Sequence, residues 1–231
     1  MPILALDTSS SVAVALLADD GTVLASRSDS EQRHHAELLA PMLQHVLADA
    51  GVARADLTAV VAGTGPAPFT GLRVGLVTAR AMSLALDVPA WGVPSLDALA
   101  ASAARTVEPG RHVLVVTDAR RREVYWSAYR VEGPGSAVST AGPDIASPGA
   151  LAEQVRTGGS VVVGRGALLH HEALGLSGPL PDDPALLDPD PAELGRLALL
   201  RHAAGHPLPT TPLYLRRPDA EPSVTRKRVL T

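Results

Sequence analysis

The sequence predicts an α/β fold in two lobes, a ribonuclease-H-like first lobe and a smaller second one. Three observations carry this reading. The opening half of the chain orders its segments β-β-β-α-β-α-β-α, and the turn cluster Glu108-Pro109-Gly110 then separates it from a second run that again starts with strands. Hydrophobic residues make up 46% of the 231 residues but aromatics only 3%, so Ala, Val and Leu must fill the core, which suits helices packed on a sheet. A chain of this length can build two lobes with a real core each, and the boundary falls between residues 1–107 and 108–231.

Residues 3–6, 12–18 and 22–26 read as strands, and the short turn clusters between them, Asp7-Thr8-Ser9-Ser10-Ser11 and Asp19-Asp20-Gly21, make an antiparallel meander. A helix follows from about residue 35 to 50, with Leu39, Met42, Leu43, Val46, Leu47 and Ala50 spaced along one apolar face and Gly51 as its stop. Pro41 removes one backbone hydrogen bond inside it, which predicts a kink or a later start. Residues 57–62 form a short, β-branched-rich buried strand, and 72–86 a second helix in which Gly71, Gly75 and Ala79 recur every four positions. Such a stripe lets another helix approach closely. A strand at 89–93 leads to a third helix capped by Ser95 and running to about residue 105.

In the second half, strands at 112–117 and 124–131 are joined by Asp118-Ala119-Arg120-Arg121-Arg122-Glu123. A Pro/Gly/Ser-rich passage at 133–149, a short helix, a strand at 160–164, a Pro/Asp-rich loop through 191 and a helix at 192–204 complete the order. The tail from 207 is Pro-rich, and its polar, basic end at 223–231 is expected to fray.

The stretch Gly63-Thr64-Gly65-Pro66-Ala67-Pro68-Phe69-Thr70-Gly71 joins a strand to a helix almost entirely through turn residues. With Thr70 as N-cap and Gly71 as first helical residue, Phe69 and Val74 fall at the positions of a hydrophobic staple. Free N–H groups at a helix N-terminus make the loop a candidate phosphate cradle; a tight structural turn is the other reading. It is not a P-loop, which ends in Gly-Lys-Ser/Thr, and the dinucleotide fingerprint would need glycine where Pro68 stands.

Composition excludes several functions. No cysteine means no disulfide, thiolate zinc site or thiol chemistry. A net charge of −4 argues against a chain that grips nucleic acid through its own overall field. No signal-like flank precedes the first strand and no apolar run approaches the length of a membrane span, so no membrane association and a cytoplasmic location are expected. His202 and His206 share a spacing that can bind metal from one helix face, but no acidic third ligand stands beside them. The pairs His34-His35 and His170-His171 diverge, as solvated neighbours do. Arg120-Arg121-Arg122 and Arg226-Lys227-Arg228 are either phosphate contacts or a solvated turn and tail.

Four stretches taken together, Ile3-Leu4-Ala5-Leu6-Asp7-Thr8-Ser9-Ser10, Gly65-Pro66-Ala67-Pro68-Phe69-Thr70-Gly71-Leu72-Arg73-Val74-Gly75, Asp118 through Tyr125, and Pro212-Leu213-Tyr214-Leu215-Arg216, closely resemble the TsaB (YeaZ) family of bacterial threonylcarbamoyladenosine-biosynthesis proteins over essentially the whole chain. The resemblance implies a two-lobed actin/Hsp70/sugar-kinase-like fold with a reduced second lobe. It also implies a degenerate paralogue of TsaD, the enzyme that transfers a threonylcarbamoyl group to tRNA. Where TsaD carries a metal-binding His-x-x-x-His pair, this chain has Ser95-Leu96-Asp97-Ala98-Leu99. Family members commonly read Gly-Pro-Gly-Ser-Phe-Thr-Gly in the loop, against Ala67 and Pro68 here.

The role so implied is a non-catalytic scaffold and activator of tRNA modification, with no catalytic residue, metal ligand or cofactor of its own. Its expected partners are a TsaD-like catalytic subunit and a TsaE-like ATPase, with ATP and a metal ion in those subunits and tRNA bound through the complex. Leu39, Met42, Leu43 and Val46 with Gly71, Gly75 and Ala79 mark the expected interface, a four-helix arrangement with the partner or, in its absence, a homodimer. Asp7 ends the first strand, where phosphotransferases of this superfold place a magnesium-associated acid. Asp7, Thr8, Ser9 and Gly65 are therefore the place for a weak nucleotide contact, an Asx or ST turn being the plainer alternative. The rival function is a stand-alone kinase-like enzyme or peptidase, although no Gly-x-Ser-x-Gly elbow is present.

Overall fold

The computed structural model describes residues 1–29, 35–177 and 183–216. The meander forms as expected. Strands β1 (Ile3–Asp7), β2 (Val12–Leu17) and β3 (Val23–Asp29) pair antiparallel, while β4 (Ala59–Gly63) and β5 (Ala90–Val93) add in parallel to give the order β3-β2-β1-β4-β5. Ala5 sits opposite Ala15 on one side and Val61 on the other. This is the ribonuclease-H-like arrangement, and it forms the first lobe of an α/β two-lobed fold.

Every residue of β1 and β2 is buried, so both faces of the sheet need cover. Helices α1 (His35–Asp49) and α2 (Phe69–Leu86) cover one face, with Leu39, Val46, Leu72 and Leu76 packed on Leu4, Leu6, Val14 and Val60. The alternate residues Ile3, Ala5, Ala15, Leu17 and Val61 face the other side. There they meet Ala98 of α3 (Ser95–Ala103) and Ala192, Leu194 and Ala198 of α6 (Pro191–Ala203), which returns from far along the chain.

The second sheet has the order β8-β7-β6-β9, from β6 (His112–Asp118), β7 (Val124–Gly133), β8 (Ser136–Ala146) and β9 (Val161–Val163). Helix α3 lies between the sheets, and its Leu96, Leu99 and Ala103 pack with Val113, Val115 and Tyr129. Its run of alanines lets backbone approach from both sides. Helices α4 (Pro148–Gly158) and α5 (Arg165–Leu169) flank the second sheet, where Leu151 and Ala167 join Leu114, Val116 and Leu174.

Several elements differ from expectation. The passage at 133–149 contains the eleven-residue strand β8. It is mostly exposed and has Pro143 on the sheet's edge, so pairing with β7, rather than apolar alternation, creates it. Helix α1 starts at His35 and runs through Pro41. Helix α2 begins at Phe69 with Pro68 in the cap position, so Thr70 is not the N-cap, and Ser95 is the first residue of α3 rather than its cap. Phe69 points outward, 49% exposed, and forms no staple with Val74, which packs on the core. Among the described helices, α2 alone has the length and apolar composition of a membrane span. It nonetheless carries exposed Arg73 and Arg80 opposite buried Leu72, Leu76 and Ala79, the pattern of a helix docked on a core.

The largest correction concerns Leu39, Met42, Leu43, Val46, Gly71, Gly75 and Ala79. All seven are buried inside this chain, so the face expected to meet a partner is spent on its own sheet. The reason is β1 and β2, which offer more apolar surface than the sequence pattern of α1 alone reveals. Truncating Leu39, which is 2% exposed, tests this. Leu39→Ala should lower the unfolding free energy of the isolated chain by about 2–5 kcal/mol in denaturant titration. A change under about 0.5 kcal/mol, the ordinary size for a surface site, would contradict its place in the core.

Candidate functional site

The end of β1 and the turn-rich loop meet at Asp7. This carboxylate is only 2% exposed and is fully engaged. Its Oδ1 accepts from the Ser9 backbone N–H at 2.7 Å and from Ser9 Oγ at 2.5 Å, and its Oδ2 accepts from Ser95 Oγ at 2.6 Å. Ser95 Oγ in turn accepts from the Gly65 N–H at 3.1 Å. One hydroxyl thus ties the ends of β1 and β4 to the start of α3. A Cβ at Gly63 would lie 1.8 Å from Asp7 Oδ2, so only glycine lets β4 pass this close to the carboxylate.

Thr8 makes the corresponding link to α2. Its Oγ1 donates to the Gly71 carbonyl at 2.7 Å and accepts from the Gly75 N–H at 3.0 Å. A Cβ at Gly75 would sit 2.5 Å from that Oγ1. The small-residue stripe therefore serves a helix-to-strand contact within the chain. The Asx turn at Asp7 and Ser9 exists, as the plainer reading held, and Ser95 adds a long-range partner to it.

Two of the loop's donors are bonded within the chain as well. Thr64 N–H bonds the Val93 carbonyl at 2.8 Å, Gly65 N–H bonds Ser95, and Pro66 and Pro68 have no N–H to give. The Ser95 N–H donates to the Gly65 carbonyl at 2.8 Å and the Leu213 N–H to the Thr64 carbonyl at 2.9 Å. Tyr125 Oη reaches the Ala67 carbonyl at 3.4 Å. Of the two readings, this arrangement matches the tight structural turn at Thr64 and Gly65, whose N–H groups face protein acceptors.

Ser10 extends the network to the second half of the chain. Its hydroxyl donates to Asp188, which also takes two hydrogen bonds from Arg165. Beside this pair lies a cavity of about 270 Å³ lined in part by Ser11, Ser26, Arg165, Asp188 and Asp190. Burial raises the Asp190 carboxyl above its ordinary value, the Ala192 N–H it caps opposing the rise. Burial likewise raises Asp7, against the lowering effect of Ser9 and Ser95, and the charge of Asp188 adds to the rise.

The other sequence candidates disperse. His202 stacks on Trp91 with ring centroids 4.4 Å apart. No group of three or more metal-ligating side chains occurs among the described residues. His34 and the cluster Arg226-Lys227-Arg228 lie outside the described residues. Sequence reasoning missed the role of Ser95, which reads locally as a helix cap. It also missed the tail 207–216, whose Leu208 carbonyl accepts from the Gly92 N–H at 2.9 Å and whose Tyr214 reaches α2.

A family model described as TsaD, tRNA N6-adenosine threonylcarbamoyltransferase, matches residues 22–160. An uncharacterized protein of Mycobacterium leprae is 42% identical over 224 residues, covering 95% of this chain and 56% of that protein, so the chain spans just over half of that relative's length. The tRNA threonylcarbamoyladenosine biosynthesis protein TsaB of Escherichia coli is 37% identical over 135 residues, or 58% of each chain. The solved structure of YeaZ from Pseudomonas aeruginosa superposes with a TM-score of 0.76 at 30% identity, covering 93% of this chain and 99% of that one.

The raised Asp7 sets a pH signature. A carboxyl held above its ordinary value of about 4 contributes stability that is fully present below that value and is lost as pH rises through the folded one. Denaturant unfolding from about pH 4 to about pH 8 should therefore show the wild type losing stability relative to Asp7→Asn as pH rises. A pH-independent difference would contradict the assignment. Asp7→Ala, which strands the Ser9 and Ser95 donors, should cost about 1–3 kcal/mol.

Proposed function

The chain belongs to the YeaZ (TsaB) family, and on that premise we propose that it acts in threonylcarbamoyladenosine formation on tRNA as a subunit that assembles with, and activates, a TsaD-like catalytic subunit without performing the transfer itself. The observation that carries this reading is the occupied state of Asp7 and the loop. A general acid or base must come within hydrogen-bond reach of the proton it transfers, and Asp7 is only 2% exposed. Here both Asp7 oxygens and the Thr64 and Gly65 N–H groups are held by protein partners. Ser95, at the position the resemblance gives to a metal-binding histidine, is one of those partners. A TsaE-like ATPase completes the proposed assembly, with ATP and the metal ion in the partner subunits.

The test is reconstitution with the TsaD-like and TsaE-like proteins of the same organism, ATP and a tRNA transcript, followed by nucleoside analysis. The chain alone should yield no modified adenosine, the full mixture should, and omitting this chain should abolish product. Turnover by the chain on its own would replace this reading with the stand-alone enzyme.

The surface proposed for assembly is the outer side of α1 and α2. Val77 and Leu84 on α2 are 62% and 87% exposed and lie two turns apart on one face. Pro41, Gln44 and Ala48 are exposed on α1. We assign this face to the TsaD-like partner's equivalent helices, or to a second copy when that partner is missing. Val77→Glu with Leu84→Glu should leave thermal stability within the small range of surface substitutions. It should abolish co-elution with the TsaD-like subunit. Wild-type co-elution of the folded double variant would exclude this face.

A further inference from the structure

Beside the start of α2, three separate parts of the chain build one basic and aromatic strip. Arg73 lays its guanidinium over the Phe69 ring, 3.5 Å from the centroid, and donates through Nε to Tyr214 Oη at 3.0 Å. The Phe69 and Tyr214 ring centroids are 5.2 Å apart, and the two residues remain 49% and 42% exposed. The turn 118–123 is brought alongside by two contacts: Tyr125 bonds the Ala67 carbonyl, and Arg216, two residues past Tyr214, bonds Glu123.

The turn itself is unusual. Arg120, Arg121 and Arg122 are all exposed and all left-handed, with φ of 63°, 55° and 60°. For residues with a Cβ this conformation is disfavoured, because the Cβ comes too close to the following carbonyl oxygen. Backbone strain of this kind, set in an exposed turn, marks a candidate site of function. The turn has a fixed base, in which Glu123 N–H closes on the Arg120 carbonyl at 3.0 Å and Arg120 N–H on Asp118 Oδ1 at 2.9 Å. Arg120 also pairs with Asp118 at 3.2 Å while its side chain stays about half exposed. Arg73, Arg120, Arg121, Arg122 and Arg216 gather in this strip, with Asp118 paired to Arg120 and Glu123 to Arg216.

We propose that this strip is an RNA-binding surface, through which the chain itself contacts the tRNA at a single-stranded loop. The arginine turn would lie along phosphates and an unstacked base would rest on the Phe69–Tyr214 pair. The chemistry fits RNA on both counts. Arginines supply the salt-dependent phosphate contacts, and aromatic rings and guanidinium planes are the surfaces on which unpaired bases stack. An acidic protein segment would use the charges but would leave the exposed ring pair without a role. The proposal rests on the tRNA-modification reading above and adds to it a direct contact from this subunit.

The test measures binding of a labelled tRNA transcript by anisotropy over a salt series, for the full chain alone and for its assembly with the TsaD-like and TsaE-like proteins. Assembly is followed separately by co-elution. R120Q/R121Q/R122Q should weaken tRNA binding about tenfold and reduce the salt slope by about 2 to 3, with co-elution unchanged. Arg121→Gly, which relieves left-handed strain, should weaken RNA binding without loss of stability. Ultraviolet cross-linking of the wild-type assembly should place adducts at Phe69 or Tyr214. Unchanged affinity and salt slope in the folded triple variant, or adducts confined to the partner subunits, would overturn the proposal. So would a labelled polyglutamate peptide whose binding, unlike that of tRNA, depends on the three arginines. Failure to co-elute with the TsaD-like protein would count against the assembly reading instead, since tRNA binding to the full chain is read independently.

Discussion

A strand pair buried on both faces is the constraint on which the rest of this molecule depends. Every residue of β1 and β2 is inaccessible, so two helical layers must be supplied. Chain order provides α1 and α2 for one side, but the other is closed only by α3 and by α6 returning from beyond residue 190. That return buries the Glu193 carboxylate, which Arg105 at the end of α3 and Arg196 on α6 engage at 2.5 and 2.6 Å. A buried carboxylate without such partners would be costly, so the ion pairs are part of the condition for closing the layer. Arg201 on α6 reaches Asp97 at 2.6 Å, and Tyr129 Oη of the second sheet donates to the same carboxylate at 2.8 Å. The two sheets are thereby joined through the helix between them.

The same closeness governs the candidate site. Gly63 and Gly75 let β4 and α2 approach Asp7 and Thr8 so closely that a Cβ at either position would clash with those side chains. The acidic end of β1 is a structural joint. Ser95 is central to it, because a hydroxyl both donates to the carboxylate and accepts from the loop. The tail 207–216 secures the opposite side of the loop through Leu213 and lies along β5 through Leu208.

With the interior committed, exposed chemistry concentrates on α2 and its surroundings. The outer face of the helix presents Val77 and Leu84 toward its C-terminal half and the Phe69–Arg73–Tyr214 group at its start. An apolar helix face and a basic aromatic strip suit different partners, and the proposed assembly would set a protein contact next to an RNA contact.

Local pattern was enough to read the meander, the helix bearing Leu39, Met42, Leu43 and Val46, the tight loop, and the α/β order, because periodicity and turn residues are written in neighbouring positions. The family resemblance was legible from four short stretches for the same reason. What occupies an apolar face is another matter: periodicity shows that α1 must bury one side, but only the sheet decides that the side turns inward. Ser95 looked like a cap because its neighbours are a proline and a helix, whereas its actual partners, Asp7 and Gly65, are 88 and 30 residues away. Strand β8 lacked an apolar signal and exists through its backbone pairing with β7. The basic strip was equally invisible as a unit, since Phe69, Arg121 and Tyr214 come from distant segments that only the packing of the loop, the hairpin turn and the tail brings to one surface.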